Sequence, residues 1–246
     1  MRHQPFLKTL LCILCSYSVQ SFVPTTSRQQ QCSSTVLHGW FDNFWQTPET
    51  SSSSRQIEYP EQYPATYEPN TANVEGDAGD ENKEFLRQLL KNTQLESRPL
   101  TLAYDASKNG WTAQAFHRAV DGKGASVVLA KTSDGRSIGG YNPKGWASLG
   151  GARPSVASFL FYTRSSDKQS WQKLQKVGGG GLACAKDDPS YGISFGPDGL
   201  VIPLLDDGSN RVAAQSKLGP YFERGPDDLP SLFSGGITEL KDLKIY

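Results

Sequence analysis

Beyond the N-terminal region the chain has one histidine, His117, and one cysteine, Cys184, two residue types that often carry out catalysis. A cysteine thiolate is a nucleophile, and a histidine can serve as its base when an acid such as Asp121 or Asp105 orients the ring. The spacing of these residues along the chain does not bring them together. A histidine hydrogen-bonded to the backbone at a helix end is therefore the preferred interpretation of His117, and no catalytic residue is predicted.

Cys184 is the only cysteine expected in the mature protein, because the other three fall in a removable N-terminal leader. A single cysteine in an apolar strand is typically an inert small hydrophobe, since reactivity needs exposure and a lowered thiol pKa. A thiol-dependent peroxide scavenger that uses Cys184, with His117 or Lys186 lowering the thiol pKa, stays open as the alternative function. One histidine without a second histidine or a cysteine pair predicts no metal site.

The glycine run Gly178–Gly181, followed by Leu182 and Ala183, satisfies the spacing G-x-G-x-x-A of a dinucleotide-binding loop. Such a loop must open a helix of several turns, whereas Pro189 follows soon after Ala183. The run also lacks the GK[ST] ending of a phosphate-binding loop. No cofactor is predicted, and the run is interpreted as a tight or mobile connection.

The charge balance and the length bound the class of protein. The chain has 246 residues, 25 of them basic and 25 acidic, and its first third is of low complexity. About 165 residues then remain for a core, which indicates one globular domain. The first 41 residues hold three bases and no acid, so the remainder carries 22 bases and 25 acids. This balance indicates no nucleic-acid partner.

The N-terminus has a short basic region and then the apolar block 10–15, which is too short to span a bilayer but typical of a signal peptide. Phe22 follows a small residue, and no acid occurs before Asp42. This arrangement resembles the bipartite leader of algae with secondary red-type plastids, in which an exposed phenylalanine marks the transit peptide. We expect a signal peptide over 1–21, a transit peptide over 22–39 and a plastid destination through the ER, with secretion as the alternative.

The stretch 40–80 combines an aromatic segment with a linker. Four aromatic side chains share one face of a short amphipathic helix: Trp40, Phe41, Phe44 and Trp45. This segment is the mature N-terminus with a docking role, an anchor to a membrane surface or partner, or the end of the transit peptide; the first is favoured. Residues 48–80 are rich in Ser, Pro, Tyr, Glu and Asn, which predicts a disordered linker.

The domain is predicted over 81–246 and is organised around one run, Phe116–Trp146. Thr112 can cap a short helix that leads into this run. Residues 125–131 are apolar and β-branched, as in a strand covered on both faces. Asp134–Gly135 is a hairpin signal that returns a second strand beside the first.

The rest of the domain predicts short strands and little helix. Residues 81–95 carry an apolar stripe at helical spacing, while 100–104, 156–162 and 200–204 are apolar stretches between turn signals. Residues 171–177 show no clean face. These elements indicate an α+β, mainly β, fold: a two-layer antiparallel β-sandwich with peripheral helices.

The run FHRAVDGKGASVVLAKTSDGRSIGGYNPKGW resembles the TLDc domain of the oxidation-resistance family, whose members carry a pattern close to FHxxxDGKGxxxxxxKxxxGxxxGGYxxxxW. The likeness continues through the sequences FLF, YGISFG and LKIY, and spans about residues 83–246. The sequences AYDASKNGW, GYNPKGW and KLQKVGGGGLA are most similar to the plastid-type members. The resemblance implies the same sandwich fold.

The resemblance also implies a role in oxidation resistance without an agreed catalytic centre. Some family members bind the vacuolar proton pump, which a plastid protein would not meet, so we expect a different protein partner or complex. Loops on a rigid scaffold commonly carry recognition. The residues predicted to form the interaction surface are Asp121, Gly122, Lys123, Gly124, Gly139, Gly140, Tyr141 and Trp146. The expected function is a non-enzymatic plastid module that protects against oxidative stress by binding this partner.

Overall fold

The computed structural model describes residues 52–164, 170–178, 186–205 and 213–246. All of them belong to Glu49–Tyr246, one of the two units into which the chain divides. Several predicted features therefore lie outside the described residues: Phe22 of the leader, the aromatic segment with Trp40, Phe41, Phe44 and Trp45, and Cys184.

The secondary structure is mainly β. The helices are α1 (Ser52–Glu58), α2 (Glu81–Leu89), α3 (Ala106–Asn109) and α4 (Ala113–Val120), with a 3₁₀ turn at Pro60–Gln62. The strands are β1 (Tyr104–Asp105), β2 (Ser126–Thr132), β3 (Ser137–Asn142), β4 (Phe159–Thr163), β5 (Trp171–Gln175), β6 (Ile193–Phe195), β7 (Leu200–Ile202), β8 (Ala213–Gln215) and β9 (Ile237–Ile245). None of the described helices has the length and apolar character needed to cross a membrane.

All strand pairs are antiparallel, and the order across the sheet is β5-β4-β3-β2-β9-β8-β7-β6, with β1 beside the end of β9. The long strand β9 joins the two halves, because its first residues pair with β8 and its last residues pair with β2. The halves face each other across the main core, where the Phe195 ring of β6 lies against Gly140 of β3. The predicted mainly β sandwich with few helices is confirmed.

Strand β2 is buried on both faces, as its composition predicts. Val128 and Ala130 belong to the core between the two halves of the sheet, whereas Val127 and Leu129 face a second core on the outer side. Helix α2 closes this outer core with an apolar stripe that includes Phe85. The fold is therefore layered as helix, sheet and sheet.

The local structure predicted for the central run, Phe116–Trp146, and for the helix that leads into it is confirmed. The Thr112 side chain accepts a hydrogen bond from the Ala115 amide at the start of α4, as expected of an N-cap. Gly135 has a φ of 89° in the turn between β2 and β3, a conformation that glycine adopts without a Cβ clash. Six residues of β2 pair with β3 in continuous register.

Strand β5 is an element that the sequence pattern does not reveal. Its middle residue, Lys173, is buried on the outer side, where its ammonium lies 4.4 Å from the centre of the Phe159 ring. The Lys173 Nζ donates hydrogen bonds to the carbonyls of Thr66 at 2.8 Å and Leu89 at 2.6 Å. Burial lowers the pKa of Lys173 to about 7. Because a lysine occupies a core position, β5 lacks the alternation of apolar and polar residues from which a strand is predicted.

Part of the stretch predicted as linker packs on the domain. Ala65 and Val74 are buried, and the Asn70 amide donates to the carbonyl of Gln88 in α2 at 2.9 Å. The carbonyls of this extended segment are bound by side chains of β5, including the Lys173 ammonium. Side-chain donors on the edge strand β5 thus bind the backbone of part of the predicted linker, which also contains helix α1 and the 3₁₀ turn.

Candidate interaction site

Three loops meet at one end of the domain, and we call them the loop cluster: 121–124, 143–151 and 186–191. The first loop follows helix α4 and the second follows β3. Two buried side chains connect the three loops, His117 of α4 and Asp187 of the third loop. The contacts of these two residues decide what the site can do.

The first two loops approach each other at backbone distance. The Gly122 amide donates to the Trp146 carbonyl at 2.9 Å. Gly145 has a φ of 62°, and a Cβ at this position would overlap the Gly124 carbonyl oxygen. A side chain at 145 would therefore force the two turns apart. This close approach explains the glycine at position 145, whereas Gly122 and Gly124 have positive φ values of 72° and 85°.

His117 is buried at the end of α4, with both ring nitrogens engaged. Its Nδ1 lies 2.8 Å from Oδ1 of Asp121, and its Nε2 lies 2.8 Å from the carbonyl oxygen of Tyr191. The Ser148 hydroxyl lies 3.0 Å from the same Nδ1 and donates to Oδ2 of Asp121. His117 therefore links the three loops, and the predicted backbone hydrogen bond at a helix end is present.

This arrangement does not match a hydrolytic triad although it contains serine, histidine and aspartate. In a triad the serine and the acid bind opposite nitrogens of the imidazole. Here Ser148 and Asp121 both contact Nδ1, and a backbone carbonyl occupies Nε2. No ring nitrogen is left to remove a proton from a substrate. The geometry supports a structural role for His117.

Asp187 fixes the conformation of the second loop. Its side chain is fully buried, and Oδ1 accepts hydrogen bonds from the amides of Ala147 at 3.0 Å and Ser148 at 3.1 Å. Its own amide and carbonyl pair with Gly151 and Gly150. Arg153 places a guanidinium nitrogen 3.7 Å from Oδ2 and so supplies a balancing charge. Asp187 is the residue at the centre of the loop cluster that the sequence interpretation missed, because a turn Asp-Asp-Pro carries no sign of these distant partners.

His117, Asp121 and Asp187 form the one group of metal-ligand types found among the described residues, with candidate ligand atoms within 4.8 Å of one another. Each of the three is already engaged. The Asp187 oxygens face backbone amides and an arginine, which are donors that repel a cation. A metal would have to displace the contacts that hold the loops. The described contacts favour a hydrogen-bonded framework.

The outer surface of the loop cluster combines an apolar tip with basic side chains. Leu149 is 79% exposed, and it follows directly on the two residues whose amides Asp187 holds. Lys123 is exposed in the first loop. In the third loop the Lys186 ammonium lies 3.9 Å from the centre of the Tyr191 ring. A large exposed leucine on a fixed backbone is a feature suited to recognition.

The structure divides the eight residues predicted for the interaction surface into two groups. Asp121 is half-buried, and the exposed residues are Gly122, Lys123 and Gly124. The other four lie in the core, which corrects their placement at a surface: Gly139, Gly140, Tyr141 and Trp146. The physical reason for the first three is the coverage of β3 on both faces by the two cores, and Trp146 is buried because its ring packs against Phe116 and Phe195.

The four buried residues have packing roles. A Cβ on Gly139 would overlap the Val128 carbonyl oxygen, and one on Gly140 would lie 2.9 Å from the Phe195 ring. Burial raises the pKa of Tyr141, whose hydroxyl lies 3.3 Å from the Gln94 amide. The Trp146 ring packs edge-on against Phe116 at 5.1 Å between centroids.

The comparison with known families agrees with this architecture. No curated protein matches the chain. The family model for the TLDc domain matches residues 79–226, which covers the central run, the loop cluster and most of the sheet. Because the match extends over more than half of the chain, this protein belongs to the TLDc domain family.

Proposed function

We propose that this protein is a non-enzymatic plastid TLDc module that protects against oxidative stress by binding a protein partner through the loop cluster. TLDc domains are linked to oxidative-stress resistance in general. The engagement of both His117 nitrogens leaves this residue no role as a base, which supports binding over catalysis. The partner is a protein or complex inside the plastid.

One observation carries this proposal: the Leu149 side chain is exposed, while buried hydrogen bonds fix the backbone of its loop. The loop amides are bound by the buried carboxylate of Asp187, and Ser148 is tied to Asp121. A contact residue that is already ordered loses little conformational entropy when it binds. An exposed leucine also costs nothing to desolvate and adds apolar area at an interface. An ordered loop backbone that presents an exposed leucine is suited to docking of a protein partner.

The experiment is affinity capture from plastids with the purified protein as bait. We expect one set of proteins to be retained reproducibly, and Leu149→Ser to lose it. Ile237→Ser is the matched control, because Ile237 is also an exposed apolar residue at 57% but lies at the start of β9. Equal capture by wild type and Leu149→Ser would contradict the loop cluster as the surface. Capture of nothing by the wild type would contradict partner binding itself.

The plastid destination is tested separately with a fluorescent fusion of residues 1–45. Phe22→Ala should leave entry into the secretory route intact, because the apolar block 10–15 is unchanged, but should stop passage into the plastid. Plastid fluorescence in the Phe22→Ala fusion would show that this phenylalanine is not the determinant. Secretion of the unmodified fusion would overturn the plastid assignment.

A further inference from the structure

A cavity lies on the side of the domain where the segment 94–103 passes the turn 123–126 and the end of β9. Its volume is about 380 Å³. Its apolar wall includes Leu95, Leu100, Val120 and Ile245. Small-molecule sites have volumes of roughly 300 to 1,000 Å³ and walls that are mostly apolar with a few polar groups. The cavity has the size and composition of such a site.

The charged side chains that line this cavity have one sign. Arg98 and Lys123 line it, and both side chains are exposed at its rim. None of the 14 lining residues is an aspartate or a glutamate. Within the part of the chain that the structure describes, neither cation takes part in a salt bridge. Two cations without acidic neighbours in the wall attract an anion.

A third feature points to an unsatisfied polar group in the same wall. Ser126 lines the cavity and is 93% buried, given its 7% exposure. Its hydroxyl has no hydrogen-bond partner in the described structure. Buried hydroxyls without partners are uncommon in folded proteins, because the hydrogen bonds to water that burial removes are normally replaced. Ser126 therefore brings an unpaired hydroxyl to the cavity wall.

We propose that the cavity binds a small amphipathic organic anion, with a carboxylate or phosphate head and an apolar body. The head lies between Arg98 and Lys123, and the body lies against Leu100 and Val120. The Ser126 hydroxyl donates to the head or to a polar atom next to it. The cavity shares Lys123 and Gly124 with the first loop of the loop cluster, whereas Leu149, on which the partner docking is proposed, does not line it.

The test uses three probes that share one apolar chain: octanoate, octyl phosphate and 1-octanol. Binding to the purified protein is followed by amide chemical shifts in heteronuclear NMR spectra. We expect both anions to shift the amides of residues 98–103 and 123–126. Octanol should bind at least about fivefold more weakly, because it lacks the contacts that a charged head makes with the two exposed cations. Preference for one anion identifies the head group as carboxylate or phosphate.

Charge variants separate this site from general hydrophobic binding. Lys123→Gln and Arg98→Gln should each weaken octanoate binding by about two- to fivefold, and the double variant by about tenfold. Lys241→Gln is the matched control, because Lys241 is an exposed lysine near the other end of the pairing between β9 and β2. Both cations are exposed, so these variants should retain the fold, which the NMR spectrum of each verifies.

Three results would overturn the proposal. The first is equal affinity for octanol and octanoate, since the cations would then play no part. The second is an unchanged octanoate affinity in the Lys123→Gln, Arg98→Gln double variant. The third is the absence of shifts at 98–103 and 123–126 with either anion at about 10 mM, a concentration that detects even weak sites.

Discussion

The two ends of the motif FHRAVDGKG…GGYNPKGW use glycine for different physical reasons. Gly122 and Gly124 have φ values of 72° and 85°, and nothing lies within 4 Å of the position that a Cβ would take. Gly139 and Gly140 are in an extended strand, where a Cβ would collide with the neighbouring strand or an aromatic ring. The first pair shapes an exposed turn, and the second pair lets strands and sheets approach.

This contrast shows that one continuous motif contributes both to a surface and to the core. The turn half is held by polar contacts around His117 and Asp187, whereas the strand half is held by apolar packing. Substitutions in the strand half should therefore affect mainly stability. Substitutions in the turn half should affect mainly the geometry of the loop cluster.

Gly139→Ala should give the largest effect on stability. The added methyl would overlap the Val128 carbonyl oxygen, and a backbone atom of the central strand has little freedom to move. Overpacking of this kind costs about 3 kcal/mol or more of the free energy of unfolding. Urea denaturation followed by tryptophan fluorescence measures this change. A loss below about 1 kcal/mol would contradict the packing role of this glycine.

Asp187→Ala should destabilise the protein by about 2 to 3 kcal/mol, because several buried backbone amides lose their acceptor. It should also release the loop that carries Leu149. Hydrogen exchange at Ala147 and Ser148 measures that release, and capture of the plastid partner should fall with it. Asp188→Ala is the control, since Asp188 is the exposed neighbour in the same turn. Unchanged exchange in Asp187→Ala would mean that the loop holds its shape without this carboxylate.

Lys173 of β5 is a charged side chain buried in the outer core, and its lowered pKa should make the stability of the protein depend on pH. Burial lowers its pKa from the ordinary lysine value of 10.5 to about 7 in the folded protein. Between these values the unfolded chain binds more protons, so the free energy of unfolding should rise with pH. From pH 7 to pH 9 the rise is about 2 kcal/mol.

The measurement compares chemical denaturation of the wild type and Lys173→Met at pH 7 and pH 9. The difference between the two proteins isolates this lysine from groups that titrate in both. A difference that stays constant between the two pH values would contradict the lowered pKa. The upper limit of pH 9 lies below the ordinary tyrosine pKa of about 10, so the tyrosines of the unfolded chain stay protonated.

Gly122→Ala should have the smallest effect. Space is available for the methyl group, so the cost is that of a positive φ in a residue with a Cβ, about 1 kcal/mol. Thermal unfolding measured by circular dichroism tests this value. If Gly122→Ala were as harmful as Gly139→Ala, the distinction between the turn half and the strand half would fail.

The sequence predicts features whose cause is local. The helix cap at Thr112, the hairpin at Asp134–Gly135 and the doubly covered strand β2 follow from residues close together in the chain, and all three are present. The sequence does not predict contacts between distant segments. Asp187 binds the amide of Ala147, a residue 40 positions away, and no local pattern encodes that pair.

Two further differences have the same origin. Tyr141 and Trp146 resemble exposed aromatic residues at a turn, but helix α2 covers Tyr141 and the opposite half of the sheet covers Trp146. Strand β5 is obscured because Lys173 is buried, and its partners are the carbonyls of Thr66 and Leu89. In both places tertiary contacts decide burial, whereas a pattern of hydropathy reports only the average expectation for each residue type.

Strand β9 has a consequence for how the chain reaches its folded state. It pairs with β2 and with β8, yet it follows both in the chain, and its partner Val128 is more than a hundred residues away from Ile245. Contacts between such distant residues slow folding, because a long loop must close first. During synthesis on the ribosome, β2 and β8 keep open edges until residues 237–245 emerge. Open edges bind other strands readily, so the nascent chain should depend on chaperones over this interval.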